Sequence, residues 1–260
     1  MQIAMPPPGN LPRLAVGSVD VLTECPRRLA RRMAPDPEER TRSHSPDEPF
    51  RLKNAVVATL VNAHAHADGA SIPLHEAIRF DPPDELIAEE RDRFQDAVDN
   101  YLDLMEERQG ELDVRRSRDI LERPTKTGRW ALTGRPDLVL RRPDGSCEVR
   151  RVLMRRGDTN AKPLDERSVA PGLALLLGEA SLRIVDLYLV HPARYEELVI
   201  TEREFTTFAR DVNRAVHKAL DDPDPAARPG WYCGECESLP GCPGVPQVRP
   251  SDLSAGRSGV

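Results

Sequence analysis

The chain has 260 residues, with 37 Lys and Arg against 43 Asp and Glu and a formal net charge of −6. That balance excludes a protein coated in basic surface, while leaving room for a local basic groove. Charged residues make up 31% and aromatics only 4%, so a core must be built from Leu, Val, Ile and Ala, and no apolar run is long enough to predict a membrane span.

Residues 1–17 are proline-rich and are expected to be disordered. They lack the charged start and apolar centre of a signal peptide, which points to the cytoplasm. Ser18 to Met33 reads as a helix, with Ser18 as N-cap and Val21, Leu22 and Leu29 on its buried stripe. Residues 34–49 form a polar connection interrupted by prolines. Leu52–Ala67 reads as a buried helix, and Pro82–Gln109 as a long amphipathic helix ended by Gly110. Then the period changes. Leu112–Leu121, Arg129–Arg141 and Ser146–Met154 alternate apolar and polar residues and predict strands, the last two joined by Pro143-Asp144-Gly145. A helix over Asp165–Gly178, a strand over 183–191 and a helix over Thr201–Leu220 follow, and residues 244–260 are expected to be a disordered tail. The order predicts an α/β fold, a small mixed sheet flanked by helices, in one unit over residues 18–243.

Four cysteines carry the strongest chemical signal. Cys25 lies in Glu24-Cys25-Pro26-Arg27-Arg28, and Cys233, Cys236 and Cys242 lie close together near the end of the chain. A Cys-x2-Cys pair lets two thiolates from one turn grip a soft metal, and the third follows after five residues. Cys25 is the candidate fourth ligand, because Cys147 falls in a strand-like run. The site would tie the first helix to the C-terminal segment. An iron–sulfur cluster and zinc both suit four cysteines, and a disulfide pair is the alternative.

A second signal is Gly134-Arg135-Pro136-Asp137, followed one strand later by Cys147-Glu148-Val149-Arg150. A hairpin can bring Asp137 and Glu148 together, as a hard cation such as Mg²⁺ or Mn²⁺ requires. Such an ion activates water against a phosphodiester, and Arg150 would supply a cation beside it. Half-exposed hairpins hold many acid–arginine pairs without chemistry. Arginines cluster at Arg27, Arg28, Arg31 and Arg32, and again at Arg150, Arg151, Arg155 and Arg156, while lysine occurs only at 53, 126, 162 and 218. Such runs can hold phosphates or simply form a solvated face.

Taken in order, these pieces resemble the RecB-like branch of the PD-(D/E)XK nuclease superfamily, and most of all its iron–sulfur members. The resemblance rests on the Cys25-Pro26-Arg27 helix, the Gly134-Arg135-Pro136-Asp137 strand, Glu148-Val149-Arg150 and the Cys233/Cys236/Cys242 triplet, and covers residues 18–243. It implies a restriction-endonuclease-like core and a four-iron, four-sulfur cluster on Cys25, Cys233, Cys236 and Cys242. It further implies Mg²⁺ or Mn²⁺ held by Asp137, Glu148 and the Val149 carbonyl, with Arg150 as the catalytic cation. The implied partner is DNA, single-stranded by preference, contacted by Arg27, Arg28, Arg135 and Arg155, with a helicase or other DNA-processing protein nearby.

Three positions depart from the family pattern. Arg150 stands where a lysine is usual, Asn62 where the metal-binding histidine is usual, and Val169–Leu177 lacks the Gln-x3-Tyr signature. A guanidinium is a wide planar fork and an ammonium a point charge, so the first exchange is not conservative. Two readings follow: a metal-dependent DNA nuclease, or a degenerate member that binds DNA or a protein partner without cutting.

Overall fold

A computed structural model describes residues 11–18, 25–33, 51–78, 82–84, 86–105, 108, 110–113, 116–156, 169–222, 224–228, 233 and 242. The expectations for residues 1–10, the 34–49 connection, Val21, Leu22, Cys236 and the 244–260 tail lie outside these residues.

The elements begin with β1 (Arg13–Ala15), a short 3₁₀ turn at Val16–Ser18, α1 (Pro26–Met33), α2 (Arg51–Ala70), α3 (Leu74–Ala77) and α4 (Ala88–Met105). Next come β2 (Glu111–Leu112), β3 (Leu121–Pro124), β4 (Ala131–Gly134), β5 (Leu138–Arg141) and β6 (Cys147–Arg156). The chain continues through α5 (Val169–Leu177), β7 (Leu182–Val190), β8 (Arg194–Ile200) and α6 (Glu202–Asp221). The fold is mixed α/β, with two mixed sheets flanked by helices. A five-stranded sheet has the order β2-β5-β6-β7-β8, and a three-stranded sheet the order β1-β4-β3. Within the larger sheet only β6 and β7 run parallel, and α5 lies in the crossover between them.

Alternation along the central strands sorts side chains to two cores. On one face Leu138, Leu140, Val152, Val185 and Leu187 pack against α2 and α4. On the other, Val139, Val149, Leu182 and Ile184 pack against α1, α5 and α6. With both faces covered, β7 is buried along most of its length.

Several elements end for identifiable reasons. Thr201 and Glu204 form a reciprocal capping box at the start of α6. Gly178, at φ +71°, closes α5 as a left-handed C-terminal glycine. The Pro143-Asp144-Gly145 turn forms as expected, with Gly145 at φ +79° and Asp144 accepting from the Ser146 N–H.

The structure also differs from the sequence expectation. The helix expected over Pro82–Gln109 begins at Ala88 and ends at Met105, leaving Pro82 and Pro83 outside it. The strand expected over Leu112–Leu121 is interrupted, because the chain turns through Arg118 at φ +66°. The strand expected over Arg129–Arg141 divides between the two sheets, as β4 and β5. Pro136 has no N–H to continue a ladder, and the break falls at Arg135-Pro136-Asp137. Gly134 has a packing role before that break: a Cβ there would sit 2.8 Å from Val16 Cγ2 and 2.9 Å from Leu176 Cδ2. Strands β1 and β8 were not anticipated: β1 lies within residues 1–17, expected to be disordered, yet pairs with β4 and buries Leu14, and β8 alternates half-buried and exposed residues along a sheet edge.

Candidate functional site

Glu148 and Arg150 are two residues apart on β6, so both point to the face covered by α2 and α4. Both are completely buried. Glu148 Oε1 accepts from Arg150 Nε at 2.7 Å, and its Oε2 accepts from Arg142 Nη1 at 2.7 Å. Arg150 Nη1 donates to the Tyr101 hydroxyl at 2.6 Å, and Nη2 donates to the Arg108 carbonyl. The Tyr101 oxygen lies 2.7 Å from His64 Nε2. A continuous polar chain therefore runs from β6 through α4 to α2. The Tyr101 hydroxyl accepts a hydrogen bond from Arg150, and the arrangement that also uses its own proton gives that proton to His64 Nε2, with the imidazole proton on Nδ1.

Charge in this network is fixed by burial and by its neighbours. Burial, and then the nearby Arg150 charge, lower His64 to about 3. Burial raises the Tyr101 phenol above its ordinary value, against the pull of Arg150. Burial opposes the Arg150 charge, yet Tyr101 and Glu148 outweigh it and hold the guanidinium protonated.

Asp137 is held elsewhere. Its Oδ2 accepts from the Val152 N–H at 2.8 Å and pairs with Lys53 Nζ at 2.9 Å. In the β5–β6 ladder Leu138 stands across from Arg150 and Leu140 across from Glu148. Continued by one residue, this register sets Asp137 across from Arg151. Glu148 is three residues further along β6, roughly 10 Å at the rise of a strand. Each carboxylate thus has its own cationic partners, Lys53 from α2 for Asp137 and Arg142 and Arg150 from the hairpin for Glu148. Val149 lies mid-sheet, paired with Val139 and Ile184, and its side chain is in the opposite core.

One row across the larger sheet was not anticipated. In register, Arg151 is followed by Asp186 on β7 and Glu196 on β8. Arg151 Nη1 lies 3.2 Å from Oδ1 of Asp186, which is fully buried. The sequence does carry a signal for it: Asp186 is the single acid inside the apolar run Ile184–Val190. Lys53, Tyr101 and His64 were not anticipated as partners in these networks either. The usual histidine position, Asn62, is exposed, as is His66.

Cys25 precedes α1 and is buried, and its Sγ accepts from the Arg228 N–H at 3.5 Å. An Arg27–Asp224 ion pair of 2.6 Å joins the same two segments. Burial pushes the Cys25 thiol up, but the N–H groups of Arg228, Arg28 and Arg27 and the Arg27 charge outweigh it and lower its pKa. A lowered thiol pKa suits a soft-metal ligand. Cys147 is the opposite case, buried and raised to about 11. Cys233 and Cys242 are half-buried, and Cys236 is outside the described residues. Among the described residues no three His, Cys, Asp or Glu side chains converge as a metal site, and no helix is long and apolar enough to cross a membrane.

Of the four candidate DNA-contacting arginines, Arg27 is engaged with Asp224 and Arg28 is half-buried. Arg135 is exposed and donates through Nε to the Arg118 carbonyl. Arg155 is exposed and lies 5.3 Å from the Tyr188 ring centroid, which Arg194 also approaches at 4.6 Å.

No family model matches the chain, and no curated protein matches it. Among solved structures it is similar to one described as "Crystal structure of SSO0001", at 13% identity and a TM-score of 0.37, over 90% of this chain and 87% of that one. A likeness at that level does not bear on function.

Two outcomes follow from the buried network. Arg150→Ala leaves Glu148 buried with half its compensation and should lose about 3–5 kcal/mol of stability, read by urea denaturation. The double variant Glu148→Gln/Arg150→Met should recover most of that loss. A fully stable Arg150→Ala protein would contradict the assigned pairing. The second outcome concerns pH. Folded His64 stays neutral to about 3, whereas an unfolded histidine gains its proton near 6.5. Its contribution is therefore complete above pH 6.5 and is lost as pH falls toward 3, by up to about 1.4 kcal/mol per pH unit. Wild type should lose more stability than His64→Gln between pH 7 and pH 5, and equal slopes would contradict the assignment.

Proposed function

We propose that this chain is a catalytically degenerate relative of the iron–sulfur RecB-like nucleases, with a restriction-endonuclease-like core, that binds single-stranded DNA without cutting it. The observation that carries the reading is the fate of the two carboxylates. Asp137 is paired with Lys53 and accepts from the Val152 N–H, while Glu148 is sealed inside with Arg150 and Arg142. A hard divalent ion needs several oxygens free to coordinate it. Here it would have to displace fixed ammonium and guanidinium groups, so Mg²⁺ or Mn²⁺ does not fit this arrangement. Arg150 is fully buried and each of its side-chain nitrogens already donates to an acceptor, a poor position from which to meet a phosphate.

A four-iron cluster on Cys25, Cys233, Cys236 and Cys242, or zinc in its place, belongs to the same proposal. Support comes from the lowered Cys25 thiol and from the contact that brings Arg228, five residues before Cys233, onto Cys25. When bound, the metal would link the start of α1 to the segment after α6. Arg135 and Arg155 are the exposed cations offered to a phosphate backbone.

Anaerobically purified, metal-loaded protein incubated with labelled single-stranded DNA and Mn²⁺ should cleave no more than an Asp137→Ala control. The same protein should retard that DNA at low salt, with affinity falling steeply as salt rises. Cleavage that disappears in Asp137→Ala would restore the nuclease reading, and no retardation at low salt would remove DNA as the partner. Separately, Cys25→Ala should lose iron and its absorbance and unfold more readily than wild type. A stable, fully iron-loaded Cys25→Ala protein would rule out that ligand assignment.

A further inference from the structure

A cleft of about 480 Å³ opens at the C-terminal end of α2, lined by His64, Ala67, Asp68, Ile72, Leu74 and Gly110 among others. Its size falls in the range of small-molecule sites, and its lining sets polar groups beside the apolar side chains of Ala67, Ile72 and Leu74.

The polar groups are an unlike pair. His64 and Asp68 are one helical turn apart on α2, so their side chains are neighbours. His64 is fixed from behind by the Tyr101 hydroxyl on Nε2, which leaves Nδ1–H as the donor it can offer to the cleft. Asp68 is fixed by the Leu112 N–H, which donates to its Oδ2 at 2.8 Å, and its other oxygen remains an acceptor. The cleft therefore presents one neutral donor and one anionic acceptor side by side, over Ala67, Ile72 and Leu74. A phosphate or carboxylate would meet the Asp68 charge with no cation among the lining residues to offset it.

We propose that this cleft binds a nucleobase: a flat, uncharged heterocycle carrying a hydrogen-bond acceptor next to an N–H donor. The acceptor would take the His64 Nδ1–H, the donor would give its proton to Asp68, and the ring would lie on the apolar lining. Burial keeps His64 uncharged through the neutral range, so the donor carries no charge to attract an anion. The base could belong to a free nucleoside or to an unstacked nucleotide of single-stranded DNA, and the second source rests on the function proposed above.

The test uses the full-length, metal-loaded protein with adenosine, cytidine, guanosine and uridine, each titrated by calorimetry and by ligand-observed NMR. At least one nucleoside should bind, and Asp68→Asn should weaken it at least tenfold. Ile72→Trp, which fills the cleft from a half-buried position, should abolish binding in a protein whose circular dichroism and melting match wild type. No nucleoside binding at millimolar concentration would overturn the proposal, as would binding that both variants leave unchanged. Fluorescence anisotropy with base-containing and abasic single strands separates the two sources. A nucleoside that binds while neither strand does supports the cleft and removes DNA as its source. Equal binding of both strands together with no nucleoside binding overturns the cleft and leaves the DNA reading intact.

Discussion

A carboxylate and a guanidinium with no access to water, Glu148 and Arg150, set the terms for the centre of this fold. Burying either charge alone would cost several kcal/mol, so each must find a partner and further hydrogen bonds in a fixed geometry. Glu148 finds Arg150 and Arg142; Arg150 adds Tyr101 and the Arg108 carbonyl. Those partners come from β6, from the β5–β6 hairpin, from α4 and from the segment just beyond α4. The network therefore fixes the distance and rotation of α4 against the sheet, which apolar packing alone leaves more tolerant of repacking. Through Tyr101 it reaches His64 and fixes α2 as well.

Asp137, Asp186 and Glu148 obey the same constraint separately. Asp137 takes Lys53, Asp186 takes Arg151, and Glu148 takes Arg150. A nuclease site works in the opposite way, since it leaves carboxylates close together and uncompensated until a metal arrives. In the function proposed above, carboxylates neutralised one by one remove that tension and favour rigidity over chemistry. The abundance of arginine over lysine fits this use, because a planar fork satisfies a buried carboxylate and a second acceptor at once.

Much of this order was legible in the sequence. The 3.6-residue period marked the buried helix after residue 50 and the final helix, and alternation with Pro143-Asp144-Gly145 marked the hairpin. What could not be read was the face each residue would take. Glu148 and Arg150 carry residue types suited to catalysis, but spacing cannot tell an acid facing a cleft from one facing a helix. Register decides that, and register depends on where β5 begins, which Pro136 fixes by interrupting the preceding strand. Strand β8 escaped for a related reason: Arg194-Tyr195-Glu196-Glu197 is polar enough to read as a loop, and only its pairing with β7 makes it a strand. The cysteine signal was independent of faces, since it rested on residue type and spacing alone.

The two ends of the described chain meet where the central network does not reach. Cys25 and Arg27 touch Arg228 and Asp224 across a sequence separation of about 200 residues, and α1 packs on α6. Closing so long a loop carries an entropic cost that grows only slowly with length, so a few contacts suffice if they are strong. A surface ion pair such as Arg27–Asp224 contributes little by itself, because water and salt screen it. The N–H groups gathered around the Cys25 sulfur gain strength only when that sulfur is a thiolate. In the reading favoured here, a metal would keep it deprotonated, and the same deprotonation would tighten the backbone contacts that bring the C-terminal segment to it. Closure of the chain and occupancy of the cysteines are then one equilibrium.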